Sequence, residues 1–140
     1  MEGAPTKRNH LHIVVGDVNV HPSKNPLTQG GWFETGILTE FSLHKSHWEY
    51  PFDDYARRKG YATWREQTPS RQLVTLSPHL LESGDIEYFG SAVVDQIVVA
   101  ASGVEPYFDE LFSTCIAYAL RAACIHKYLS FKKDNEPYFV

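Results

Sequence analysis

The sequence predicts an α+β domain built on an antiparallel sheet, and three observations carry that reading. Strand and helix patterns do not alternate along the chain but group as strands, two helices, strands and a last helix. Residues 97–102, Ile-Val-Val-Ala-Ala-Ser, are apolar with little alternation, as in a strand covered on both faces. A tight Ser102-Gly103 connection then leads straight into a long apolar helix. With 140 residues the chain makes one domain, long enough to bury roughly 68% of its unfolded surface. Residues 1–9 are expected to be a disordered lead-in, and residues 10–140 the single α+β domain.

Each element has a local reason. His10 to Val20 is rich in β-branched residues and predicts a strand at Leu11 to Val15. A turn at Gly16-Asp17 and a second short strand follow. His21 to Gly31 holds two prolines and two glycines and reads as a loop. Trp32 to Leu43 predicts a strand or hairpin, with Ile37, Thr39 and Phe41 on one face and Leu38 and Glu40 on the other. Asp53 and Asp54 load negative charge at the start of a helix that runs to about Arg65. Thr68-Pro69-Ser70 breaks it, and Arg71 to Leu81 forms a short helix interrupted at Ser77-Pro78. Strands at about 88–94 and 97–102 are joined by a hairpin turn at Asp95-Gln96. Pro106 opens the last helix, with Asp109 and Glu110 near its start. Its apolar face is expected to run through Phe108, Leu111, Phe112, Cys115, Ile116 and Ala119 to Ala122 and Ala123. Lys127, Lys132 and Lys133 sit at its C-terminal end, where cations are favoured. The tail from Asn135 is aromatic and non-helical, and suits docking on its own domain or a neighbouring subunit.

The totals exclude several classes of function. A formal net charge of −4 argues against a phosphate-tracking nucleic-acid surface. There is no apolar run of about 20 residues for a membrane span and no signal-peptide pattern in Met1 to Arg8, so the expected location is cytoplasmic. Cys115 and Cys124 lie on one helix about 13 Å apart and on opposite faces. They cannot pair with each other, and are expected to be small buried hydrophobes in a reducing compartment.

The chemistry-bearing residues cluster between His44 and Lys59. His44 and His47, with Glu49 and Asp54, offer acid–base groups beside the aromatic wall of Trp48. The competing role for Asp53 and Asp54 is helix N-capping. Arg57, Arg58, Lys59 and Arg65 form a basic helix face that could hold a carboxylate or phosphate, haem propionates included, or simply meet solvent. His10 and His12 would share a strand face, but no recognised metal-ligand spacing accompanies them. Ser102 lacks a nucleophile-elbow context, because Ala100 stands where the first glycine belongs, and it reads as a turn residue. No phosphate-binding loop, dinucleotide fingerprint or calcium loop is present.

Two stretches resemble the GlcG/HbpS-like (haem-binding or haem-degrading domain) family. Ala56-Arg-Arg-Lys59-Gly-Tyr-Ala62-Thr63-Trp64, followed by Ser70, is similar to that family's helix pattern. Gly90-Ser-Ala-Val-Val, Val98-Val-Ala-Ala-Ser102-Gly103-Val104 and Asp109-Glu110 resemble its glycine-marked strand, its strand ending in Ser-Gly and the start of its last helix. The likeness covers residues 52–123. The family's alanine-rich N-terminal helix and its Arg-Met-Asp-Gly-Ala segment have no counterpart, and Lys59 is followed by Gly60 rather than alanine, which marks a distant member. The resemblance implies a profilin-like sheet flanked by helices and a homo-oligomer with ligand pockets near subunit interfaces. It also singles out Lys59 as the family's lysine. The expected function is binding of a small organic ligand, with haem as a candidate. The ligand would lie between the middle helix, the His44 to Tyr50 loop and the strand end at Ser102, with Trp48, Arg58, Lys59 and Ser102 holding it. The alternative is a cofactor-free isomerase, cyclase or lyase on the same scaffold, using His44 or His47 with Glu49 or Asp54.

Overall fold

The computed structural model describes residues 9–20 and 32–135. Residues 1–8 of the expected lead-in, the His21 to Gly31 loop and the end of the tail lie outside the described residues. Strands β1 (Leu11–Gly16), β2 (Ile37–Leu43), β3 (Ser91–Val94) and β4 (Ile97–Ser102) form one sheet in the order β2-β1-β4-β3. Every neighbouring pair is antiparallel. With helices α1 (Phe52–Glu66), α2 (Ser70–Leu76) and α3 (Pro106–Asn135), this is the predicted α+β arrangement.

The sheet lies between α1 and α3, and β4 shows why it needs two covers. All six of its residues are buried. Val98 and Ala100 join Val14, Trp32, Ala56, Tyr61 and Trp64 beneath α1. Ile97 and Val99 pack with Ala117 beneath α3, where Ile13, Val15, Ile116 and Leu120 close around them. Alternating residues of one strand thus feed two cores. The β3–β4 hairpin turns at Asp95 and Gln96, with φ of 48° and 70°, the left-handed pair that a two-residue turn requires.

Several boundaries differ from the sequence reading. Residues 17–20 form a turn in place of a second strand, with the Asn19 amide donating to Asp17 Oδ1. Trp32–Gly36 is a wide helical turn that precedes β2. The register shifts between Val15 and Gly16. This bulge moves Ile37 into the core under α1, away from the face it was expected to share with Thr39 and Phe41. β3 begins at Ser91 rather than near residue 88, although the Gly90 carbonyl still accepts the Ala101 amide of β4. At the start of α1 neither aspartate is the cap: Pro51 occupies that position, and Asp53 and Asp54 act as first-turn charges.

The largest correction concerns α3. Its buried side is Asp109, Ser113 and Ala117, while Phe108, Leu111, Cys115, Ala119, Ala122 and Ala123 are exposed. Both cysteines are therefore free and solvent-facing, not core residues. The apolar period alone favours the other face. Asp109, accepting from the Val104 amide and Lys59, and Ser113, donating to the Gly90 carbonyl, decide the rotation together with the small Ala117.

Candidate functional site

A cavity of about 430 Å³ opens where the first turns of α1 meet the β4–α3 junction. Tyr50, Phe52, Tyr55 and Tyr88 supply aromatic walls. Ser102, Gly103, Val104, Glu105 and Pro106 complete the lining, together with the charged pair Lys59 and Asp109.

The sequence builds this place locally. Position 59 lies on the side of α1 that meets β4, so the lysine enters the protein instead of snorkelling out. Lys59 is 3% exposed and Asp109 2%. Lys59 Nζ donates to the Ala101 carbonyl at 3.0 Å and to Asp109 Oδ2 at 3.5 Å. Asp109 Oδ1 accepts the Val104 amide at 3.2 Å, which ties the start of α3 to the end of β4. Burial lowers the Lys59 ammonium below the ordinary lysine value, and Asp109 only partly offsets this. Burial likewise raises Asp109 above the ordinary carboxylate range, against Lys59 and the amides of Val104 and Gly103. Each group is thus shifted toward exchanging a proton closer to neutrality.

Two glycines make room for the arrangement. Gly103 has φ of +138°, and a Cβ there would run into the His10 carbonyl, so the chain leaves β4 only through glycine. A Cβ on Gly60 would sit 2.9 Å from the Trp32 ring and 3.1 Å from the Ala100 Cβ. This explains the glycine after Lys59: α1 passes too close to the buried tryptophan and β4 for alanine.

A buried hydroxyl network holds the approach to β3. Ser70 Oγ accepts the amides of Gly90 and Ser91, both at 3.0 Å. Ser91 Oγ donates to the Lys59 carbonyl at 3.0 Å and meets Thr63 Oγ1. Ser113 Oγ donates to the Gly90 carbonyl at 2.6 Å. All three helices therefore hold the same kink, and Ser70 gives the buried Gly90 and Ser91 amides an acceptor.

Of the residues singled out from sequence, Lys59 and Ser102 come together at this cavity. The others lie elsewhere. His44 is exposed in a left-handed backbone conformation, with its ring 6.2 Å from that of His10. His47 and Glu49 are exposed. Asp54 pairs with Arg58 at 2.8 Å, and Arg58 also donates to the Gly84 carbonyl, fastening the loop before β3. Trp48 donates to the Leu43 carbonyl, and its ring meets His12 and Phe52 edge-on, behind the cavity wall. His12, expected to share a strand face with His10 but without a metal-ligand spacing around it, is buried and bonded to Ser42 Oγ and Glu40 Oε1. Among the described residues no cluster of three or more His, Cys, Asp or Glu could hold a metal ion.

Sequence reasoning missed Asp109 as a site residue and all four aromatic walls. One signal was present for Asp109: Asp109, Ser113 and Ala117 repeat every four residues, a polar and small stripe on an otherwise apolar helix. Comparison of the chain with protein-family models, with curated proteins and with solved structures finds no match. Among the described residues no helix is long and apolar enough to cross a membrane.

Proposed function

We propose that this chain is a small-molecule-binding protein of the oligomeric GlcG/HbpS-like type, and that its ligand occupies the cavity between α1 and the β4–α3 junction. One observation carries the reading: four aromatic side chains face a buried Lys59–Asp109 pair across a space of about 430 Å³. Organic ligand sites commonly have this size and this mixture of apolar walls with a few convergent polar groups. Aromatic walls favour the flat faces of a ring, and the paired charges of Lys59 and Asp109 favour a ligand with a carbonyl or hydroxyl over a highly charged one.

Haem fits this lining poorly. Among the described residues lining the cavity there is no histidine, cysteine or methionine, and iron would have only tyrosine hydroxyls there as its usual protein ligands. The reading therefore rests on an organic ligand without iron.

An enzymatic reading is favoured by a separate observation, the opposed pKa shifts of Lys59 and Asp109. A cofactor-free isomerase or lyase on this scaffold would use these two groups as its base and acid, in place of His44, His47, Glu49 and Asp54, none of which lines the cavity.

Calorimetric titration with 4-hydroxybenzaldehyde, phenylacetate and haem tests the proposal. Saturable binding of a ring probe that weakens at least about tenfold in Tyr55→Ala is the expected result, equivalent to about 1.4 kcal/mol. No binding of either ring probe, or binding unchanged in Tyr55→Ala, overturns it. A Soret shift on adding haem would overturn the exclusion of iron.

A further inference from the structure

Among the described residues that line the cavity, Lys59 carries the only side-chain amine, and its setting differs from that of an ordinary lysine. The residue is 3% exposed, whereas the side chain of Lys45 is 61% exposed. Lys59 is held at both ends. Its carbonyl in α1 accepts Ser91 Oγ at 3.0 Å. Its Nζ reaches the Ala101 carbonyl at 3.0 Å and Asp109 Oδ2 at 3.5 Å. Gly90 leaves room for that reach: a Cβ there would lie 3.0 Å from Nζ, 2.8 Å from the Asp109 Cβ and 2.7 Å from the Ala101 oxygen. The side chain is therefore fixed on the cavity wall, with a carboxyl group beside its nitrogen.

A buried amine beside a carboxyl group has chemistry that a solvated lysine lacks. An ammonium has no lone pair and does not attack a carbonyl carbon, whereas the neutral amine does. Burial favours the uncharged forms of both Lys59 and Asp109. One proton passing from Nζ to Asp109 produces both uncharged forms at once. A tie between α1 and α3 serves the fold equally well with its surroundings filled. Here the pair instead meets a space of about 430 Å³ walled by Tyr50, Phe52, Tyr55 and Tyr88. A ring seated against those walls brings a carbonyl substituent toward the polar side of the lining.

We infer that Lys59 is a nucleophile, and that the cavity takes a ring-bearing aldehyde or ketone, which Lys59 holds as a protonated imine. This rests on the ligand reading above and names the ligand's reacting group. The Lys59 nitrogen lone pair forms a bond to the carbonyl carbon while the C=O π pair moves to oxygen. One N–H proton passes to that oxygen and makes the hydroxyl of a carbinolamine. Asp109 gives its proton to this hydroxyl, the C–O bond breaks and water leaves. The nitrogen lone pair closes the C=N bond. The nitrogen keeps one hydrogen and a positive charge, and Asp109, now a carboxylate, faces that charge as it faced the ammonium. One buried cation replaces another, so the pair stays balanced. The step needs no oxidant or reductant, and water reverses it.

Reductive trapping on the full chain tests the inference. The wild type is mixed at neutral pH with 4-hydroxybenzaldehyde and cyanoborohydride, which adds hydride to the iminium carbon and fixes it as a secondary amine. Peptide mass mapping is expected to place one hydroxybenzyl group on Lys59, at least about tenfold faster than on the exposed Lys45. Saturating phenylacetate, which has the ring without an aldehyde or ketone, is expected to slow labelling of Lys59 and not of Lys45. Lys59→Arg keeps a cation opposite Asp109 but has no primary amine, so its position 59 is expected to stay unlabelled. The wild-type map reads the site directly, whether or not that variant folds. Labelling of Lys59 no faster than of Lys45, or labelling that phenylacetate does not slow, overturns the inference. Calorimetry separates the two proposals. Ring probes that bind, weaken in Tyr55→Ala and leave Lys59 unlabelled keep the binding site and remove the imine, whereas absence of ring-probe binding removes both.

Discussion

Two groups of ionisable side chains flank α1, and they differ in almost every physical respect. On the side toward β2, Lys45, Asp53, Arg57 and Glu40 form a chain of contacts at the surface that ends on the buried His12. On the side toward β4 and α3, Lys59 and Asp109 make one buried pair. The first group is rich in the residue types that suggest catalysis, yet its Lys45, Asp53, Arg57 and Glu40 charges compensate one another in water-accessible positions, with the buried His12 at its inner end. Glu40 is pushed up by burial, but hydrogen bonds from Arg57 and His12 outweigh this and hold it below its ordinary value. The buried pair has only two charges, both shifted the other way by desolvation. Residue type in sequence marks where charge is dense. Burial next to an open cavity marks where charge can do chemistry.

The largest effect should come from splitting the buried pair. Asp109→Ala strands the Lys59 ammonium and removes the acceptor of the Val104 amide. We expect a loss of about 3–5 kcal/mol in urea unfolding. Adding Lys59→Met to that variant should recover part of the loss, since no uncompensated charge then remains buried. If the double variant is no more stable than the single one, the cost lies in the Val104 tie and not in the charge.

Ligand binding sharpens the contrast from the other direction. Tyr55→Ala should weaken ring-probe binding as described, with a stability change of no more than about 1–2 kcal/mol. Equal losses from a substitution in the surface chain would dissolve the distinction between the two groups.

Smaller effects belong to the surface. Glu40→Gln is expected to cost about 1 kcal/mol or less at neutral pH. The sign with pH follows from its lowered value. The carboxylate's contribution is present above the ordinary glutamate value of 4.5 and is lost as pH falls through the native value. Stability measured from pH 7 downward should therefore converge for wild type and Glu40→Gln in acid. The buried pair behaves differently. The raised value of Asp109 makes its contribution largest in acid and lost as pH rises through the native value, whereas the lowered value of Lys59 makes its contribution largest in alkali and lost as pH falls. The smallest effect is expected for His47→Ala, within about 0.5 kcal/mol in stability and with no change in ring-probe affinity. A measurable loss of binding there would return the site to the His44 to Asp54 segment.

Much of the fold could be read from local pattern. The β-branched run at Leu11 to Val15, the Asp95-Gln96 hairpin, the doubly covered 97–102 strand and the Pro69 and Pro78 breaks are consequences of short-range sterics and period. They survive in the structure with boundaries moved by a few residues. The site was less legible. Lys59 and Ser102 were singled out and do line the cavity. Asp109 was assigned only to the helix start, because its partner lies 50 residues away in sequence.

The sequence by itself determined which segments are strands and helices, since propensity, period and turn chemistry act over a few residues. Only the tertiary structure decided which side of α3 is buried. Apolar content favoured the face of Phe108, Leu111 and Cys115. The sheet instead took Asp109, Ser113 and Ala117, because they satisfy the Val104 amide, the Gly90 carbonyl and Lys59 while allowing close approach. Those bonds span from five to 50 residues along the chain, so most of them exist only after the sheet has formed. The same rotation leaves Phe108, Leu111 and Cys115 facing outward.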